Sequence, residues 1–259
     1  MSASIGLVFL HAREPSKAAL QRAEDCAAAG YEVHIVIDKI TREDLDSLQA
    51  DHPTVGLHTL YSQVSIAFGY WDLAYLDRGN LFAQLNMNPC AWDKALCLDY
   101  LEGWSSRLSA LWFIEDDVAI KGRVAALQQL DATYTGVDLV VQRHDTVSAD
   151  HAWVWWRTCA ADFQSQDLAH SLVPVCRVSS RLLALAHAFA KKHHKLTLHE
   201  CLFSSLAQQH GLGVGTPDEF ATIRWHTNVN MAEVEAAADG AFLHPAKDEE
   251  VREAAWAWR

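Results

Sequence analysis

Residues 111–120 read LWFIEDDVAI, an apolar run broken by Glu115, Asp116 and Asp117 and then resumed. A carboxylate at the end of a buried strand must be paired, protonated or bound to a cation. Side chains alternate between the two faces of a strand, so two of these three acids can converge on one ligand, but not all of them. The cluster is rich in oxygen and free of cysteine, which suits a hard divalent cation such as Mn²⁺ or Mg²⁺, able in turn to bridge to a diphosphate. The competing reading is a strand that simply ends with its acids in water.

Three other stretches carry chemistry. In HKLTLHECLF (194–203), His199 and Glu200 stand at a helix start. Glu200 is there either as a general base for a hydroxyl or as the acidic half of a capping box with Thr197. The zinc-peptidase spacing H-E-x-x-H is not met, because residue 203 is Phe203. In FLHPAKD (242–248), the imidazole of His244 can complete a metal shell and Lys247 can neutralise a leaving diphosphate; the alternative is a surface tail. Asp38 ends a strand and is a candidate acceptor from a ribose or base. Lys94, in the first turn of a helix, is a candidate phosphate ligand. The run WVWWRT (153–158) can stack on sugar faces, with Arg157 bonding hydroxyls, although an aromatic strand that packs a core explains it as well. Residues 144–153 are polar enough to form a loop over the site.

The elements that must position these groups follow from the pattern of apolar residues. Strands are expected at 5–12, 31–38, 54–60, 137–145, 151–158 and 222–228, besides the acidic strand itself. A helix with Ser16 as cap and Gly30 as stop separates the first two strands, giving a β-α-β start. A second helix spans 88–103, with Asn88 as cap, Pro89 in the first turn, Gly103 as stop, and Trp92, Leu96 and Tyr100 as a packing stripe. Two more helices fall in 179–209, the second starting at Thr197. Alternating strands and helices predict an α/β fold: one domain with a mostly parallel central sheet flanked by helices.

Composition excludes several function classes. The chain has 259 residues, 50% of them hydrophobic, and a formal net charge of −12. That charge argues against nucleic acid or an anionic membrane surface as a partner. No stretch approaches a transmembrane span, and the first residues lack the basic region of a signal peptide. The six cysteines form no C-x-x-C pair and are expected as buried free thiols. A soluble cytoplasmic protein is expected.

The order of these motifs resembles the nucleotide-sugar-dependent glycosyltransferases of the GT-A fold. The EDD run is similar to the D-x-D-type metal motif in its N-acetylglucosaminyltransferase-I-like variant, although Glu115 replaces its first Asp. The resemblance implies a GT-A-like domain over 1–259, with nucleotide binding in about 1–120 and acceptor binding and catalysis in about 121–259. It implies Asp117 and His244 as metal ligands, helped by Asp116, and Glu200 as the catalytic base of an inverting enzyme. Asp38, Lys94, Glu115, Asp116 and Lys247 then belong to the donor site. The implied cofactor is Mn²⁺ or Mg²⁺, the donor a nucleotide sugar, and the acceptor a hydroxyl of a glycan or glycoconjugate. A sugar nucleotidyltransferase is the nearest rival, but the loop after the first strand, HAREPS, lacks the expected glycines. A metal-dependent glycan-binding module is the non-catalytic alternative.

Overall fold

The buried apolar runs pair as expected in the computed structural model, which describes residues 4–72 and 89–258. In chain order the elements are β1 (Ile5–His11), α1 (Lys17–Ala28), β2 (Glu32–Ile37), α2 (Arg42–Asp51), β3 (Gly56–His58), α3 (Ser62–Ala67), α4 (Ala91–Glu102) and α5 (Trp104–Arg107). There follow β4 (Ala110–Glu115), β5 (Ala119–Ile120), α6 (Arg123–Thr133), β6 (Leu139–Val140), β7 (Asp145–Thr146), α7 (Trp156–Cys159), β8 (Ala169–His170) and β9 (Val175–Ser179). The rest comprises α8 (Ser180–His193), α9 (His199–Gln209), β10 (Val214–Gly215), α10 (Met231–Ala236), β11 (Phe242–Leu243) and α11 (Glu249–Ala257).

Among the described residues, seven strands form the central sheet in the order β10-β6-β9-β4-β1-β2-β3. Only β9 runs against its neighbours, so the carboxyl ends of β1, β2, β4 and β6 open on one edge. The chain builds outward from β1 to β3, then returns to place β4 on the other side of β1. Ligands in such sheets gather at this reversal, outside the strand ends. Every residue of β1 after Ile5 is buried, as a sheet covered on both faces requires.

Two apolar layers cover the sheet. One joins Leu111, Phe113 and Cys176 to α4, α8 and α9. The other joins Trp112, Ile114 and Val175 to α1, α6 and α11. Local signals set the helix ends. The Ser16 hydroxyl accepts the Ala19 amide at 3.1 Å, and Thr41 caps α2 through Asp44 at the same distance. Gly103 ends α4 in the left-handed conformation, at φ 69°.

Several expectations are corrected. Residues 151–158 are turns and the short α7, not a strand: the Trp156 indole donates to the Asp150 carbonyl at 2.6 Å, and Trp153 stacks on His170. Residues 222–228 contribute a single bridge, Ile223 to His244, because the Arg224 guanidinium bonds back to the Thr227 carbonyl and curls the chain. The stretch 137–145 divides into β6 and β7. Tyr100 leaves the expected packing stripe and is 46% exposed. Cys90 stands at the N-cap of α4; Asn88 lies outside the described residues. All six cysteines are free, and five of them are buried.

The region around β2 makes a pH prediction. His34 is buried between His58 and the face of Trp104, with rings 4.0 Å apart, and burial lowers its pKa to about 4; the same cause lowers His11 to about 4. Below its ordinary value near 6.5 each ring takes a proton in the unfolded chain before it does in the folded one. Stability is therefore lost as pH falls from about 6.5 to about 4, by up to roughly 3 kcal/mol per residue. Urea midpoints measured at pH 7 and pH 4.5 should show this loss, and His34→Gln should remove about half of it.

Candidate active site

The strand register sorts the three acids. Leu111 and Phe113 face the layer that holds α4 and α9, so Glu115 points the same way. Trp112 and Ile114 face the opposite layer, and Asp116 follows them: its carboxylate accepts the Ala12 amide at 3.4 Å and lies 3.9 Å from His11. Asp117 is past the strand end, in a turn closed by the Val118 amide on the Glu115 carbonyl. Asp116 thus lies near the other two acids, close enough for their charges to act on each other, but its ligand atom is not among those of Glu115, Asp117 and His244 that meet.

His244 arrives from the far end of the chain. The antiparallel pairing of β5 with β11 sets Ala119 opposite Leu243, and the Ala246 amide donates to the Asp117 carbonyl at 2.7 Å. His244 Nε2 then lies 3.2 Å from Asp117 Oδ1 and 3.8 Å from Glu115 Oε2. One ligand atom from each of the three residues falls within 4.8 Å of the others.

Two observations show that this triad fits a divalent cation. Asp117 Oδ1 is buried, and apart from the His244 ring beside it, it has no hydrogen-bond partner among the described residues. The Nδ1 of His244 faces the Arg224 carbonyl at 3.0 Å; with its proton there, Nε2 presents a lone pair toward the two carboxylates. The electrostatics agree. Burial raises the pKa of Glu115, Trp92 opposes this by hydrogen bonding, and Asp117 adds to it. Burial opposes protonation of His244, but Asp117 and Glu115 outweigh it and raise its pKa. A cation would relieve this concentration of negative charge.

Glu200 opens α9 on the same side of the sheet. The expected capping box is absent: Leu198 occupies the N-cap with no side-chain bond, and the buried Thr197 hydroxyl does not bond Glu200. The carboxylate of Glu200 is thus not consumed by the backbone, and it makes no hydrogen bond among the described residues. It is 6% exposed, and burial together with the charge of Glu115 raises its pKa to about 8. Glu200 is a buried, proton-accepting group beside the triad.

The structure brings Asp38 and Lys94 to each other. Lys94 Nζ bonds Asp38 Oδ1 at 2.6 Å and the Asp38 carbonyl at 3.0 Å, and the lysine is 4% exposed. The ammonium expected to meet a phosphate is thereby committed to the end of β2. Lys247 is exposed, just beyond the Ala246 contact with Asp117. Trp153 and Trp156 pack around His170, and Arg157 is exposed. Two site residues were missed in the sequence. Arg143, after β6, carries positive charge that lowers the pKa of Glu200 and pairs with Asp145 at 3.2 Å. Trp92, read as a packing residue, donates to Glu115 Oε1 at 2.8 Å.

No protein-family model matches the chain, and no curated protein matches it. Solved structures similar to it include apo mouse xyloside xylosyltransferase 1, at 12% identity and a TM-score of 0.43 over 99% of this chain and 94% of that one. The mannosyltransferase Ktr4p from S. cerevisiae is similar at 11% identity and a TM-score of 0.41, over 84% of this chain and 67% of that one. Core-mannan synthase A from Aspergillus fumigatus, in an Mn/GDP form, is similar at 9% identity and a TM-score of 0.35, over 79% and 69%. The architecture itself is α/β, with a mostly parallel sheet between helical layers. No helix among the described residues is long and apolar enough to cross a membrane.

A buried carboxyl with a raised pKa favours the folded state only while protonated. Between about 4.5 and about 8, the unfolded chain has lost the Glu200 proton and the folded protein retains it, so stability declines as pH rises through that window. Glu200→Gln removes this dependence. The variant is expected to be more stable than the natural protein at pH 8.5 without added metal, by a few kcal/mol in order of magnitude, and to differ little at pH 4.5. Thermal melts at the two pH values measure it.

Proposed function

We propose that the protein is a metal-dependent glycosyltransferase that moves a sugar from a nucleotide-diphosphate donor to a hydroxyl of a glycan or other acceptor. The observation that carries this reading is the convergence of Glu115, Asp117 and His244 on one point, with the free carboxylate of Glu200 beside them, at the edge where β1 and β4 diverge. Glu115, Asp117 and His244 would hold the cation, Mn²⁺ or Mg²⁺. When bound, such an ion supplies positive charge for the diphosphate oxygens.

The chain's own residues then divide the work. Glu200 accepts the proton of the acceptor hydroxyl as that oxygen bonds to the anomeric carbon and the bond from that carbon to the diphosphate breaks. Attack opposite the leaving group inverts the anomeric configuration. Burial and then the charge of Glu115 keep Glu200 basic, and His199 and Arg143 moderate the shift, holding the carboxyl nearer to the range where a base works at neutral pH. Lys247, the exposed cation closest in sequence to the triad, meets the departing diphosphate. Asp116 and the Asp38–Lys94 pair serve the donor site from its floor, by fixing the ends of the β1–α1 loop and of β2. The natural location is the cytoplasm, where nucleotide sugars are made.

Calorimetric titration with UDP, GDP, CDP and dTDP, each with and without Mn²⁺, tests the donor site. One nucleotide should bind only with metal, and Asp117→Ala should abolish its binding. Glu200→Gln should keep that binding and lower turnover by about 10²–10⁴-fold. If no nucleotide binds under any condition, the acids serve a metal-dependent glycan-binding module instead.

A further inference from the structure

The first turn of α4 makes three consecutive contacts, each with a different part of the site. Trp92 Nε1 donates to Glu115 Oε1 at 2.8 Å. Asp93 Oδ1 meets His199 Nε2 at 3.2 Å, while its Oδ2 accepts the Cys90 amide at 2.9 Å. Lys94 binds Asp38. The same indole also stacks on His199, with ring centroids 5.3 Å apart, and on Phe113 of β4 at 5.1 Å. One helical turn thus touches the end of β2, the metal-facing acid of β4 and the residue before Glu200 in α9.

The division of the Glu115 carboxylate is specific. Its Oε1 belongs to the indole N–H, and its Oε2 is the oxygen nearest His244 Nε2, at 3.8 Å. The hydrogen bond therefore selects which oxygen faces the triad and fixes the rotation of the carboxylate about its last bond. Without it, nothing in this geometry holds Oε2 rather than Oε1 toward Asp117 and His244.

We propose that Trp92 is a positioning residue for the cation site: its indole N–H orients Glu115 toward Asp117 and His244, and the stacked His199–Asp93 pair fixes Glu200 from the same helical turn. This rests on the metal reading given above. The alternative use of Cys90, Asp93 and His199 as a separate metal site is not favoured, although their ligand atoms also lie within 4.8 Å of one another. Both oxygens of Asp93 already have protein partners, and the Cys90 thiol is held protonated by burial.

Partners that orient a ligand typically change metal affinity by about 10–100-fold when removed. Trp92→Phe deletes the N–H and retains a ring between His199 and Phe113, so the fold is preserved. The test is titration of the free protein with Mn²⁺ alone, followed by electron paramagnetic resonance of unbound Mn²⁺, with circular dichroism melts alongside. Wild type should bind, Asp117→Ala should not, and Trp92→Phe should bind at least about 10-fold more weakly with a native spectrum. If Trp92→Phe is misfolded, Trp92→His, which keeps a ring N–H, replaces it and should restore part of the affinity lost in Trp92→Ala. Equal affinity in wild type and Trp92→Phe, with Asp117→Ala inactive in binding, overturns the positioning role alone. Absence of binding in wild type overturns the metal reading, and the positioning role with it.

Discussion

The dominant constraint in this protein is the electrostatic cost of holding Glu115, Asp117 and the buried Glu200 together at one edge of a sheet. Isolated carboxylates in such surroundings become protonated or seek a cation. The imidazole of His244 lies beside two of them, and His199 and Arg143 act on the third. These groups only partly balance the acids, as the raised pKa of Glu115 and of Glu200 shows. The remaining imbalance is what motivates the proposal of a cation at this place.

That imbalance has to be held in place by the rest of the molecule, and the fold does so with rigid pieces. Glu115 terminates the strand at the centre of the sheet, flanked by β1 and β9. Asp117 is held by the turn and by the Ala246 amide, and His244 by the β5–β11 pair and the Arg224 carbonyl. The first turn of α4 joins these to β2 and α9. A site assembled this way puts destabilising charge on elements that cannot easily move apart.

How much of this was legible in the sequence depends on the range of each interaction. The strands β1, β2 and β4 and the helices α1, α8 and α9 were readable because each is defined by its own apolar period and caps. Glu115, Asp117, Glu200 and His244 were readable as candidates because acids inside an apolar run are costly and must have a reason. The errors came where a distant partner decides. The residues 151–158 look like a strand by composition, but His170 and the Asp150 carbonyl draw two of the tryptophans into a turn. Thr197 and Glu200 have the spacing of a capping box, but the helix starts two residues later and the box does not close. Lys94 and Asp38 were both identified, and only the packing of α4 on the sheet reveals that they bind each other.

The division of Glu115, Asp116 and Asp117 shows the same limit at the smallest scale. Alternation alone sets Asp116 apart from its neighbours and leaves Glu115 and Asp117 as the pair that shares a face. Here the strand ends at Glu115, so the turn carries Asp117 back to the side of Glu115 and leaves Asp116 on the α1 side with His11 and the Ala12 amide. What the pattern of acids could not supply is the third group: His244 reaches Glu115 and Asp117 only through the pairing of β5 with β11, from the far end of the chain.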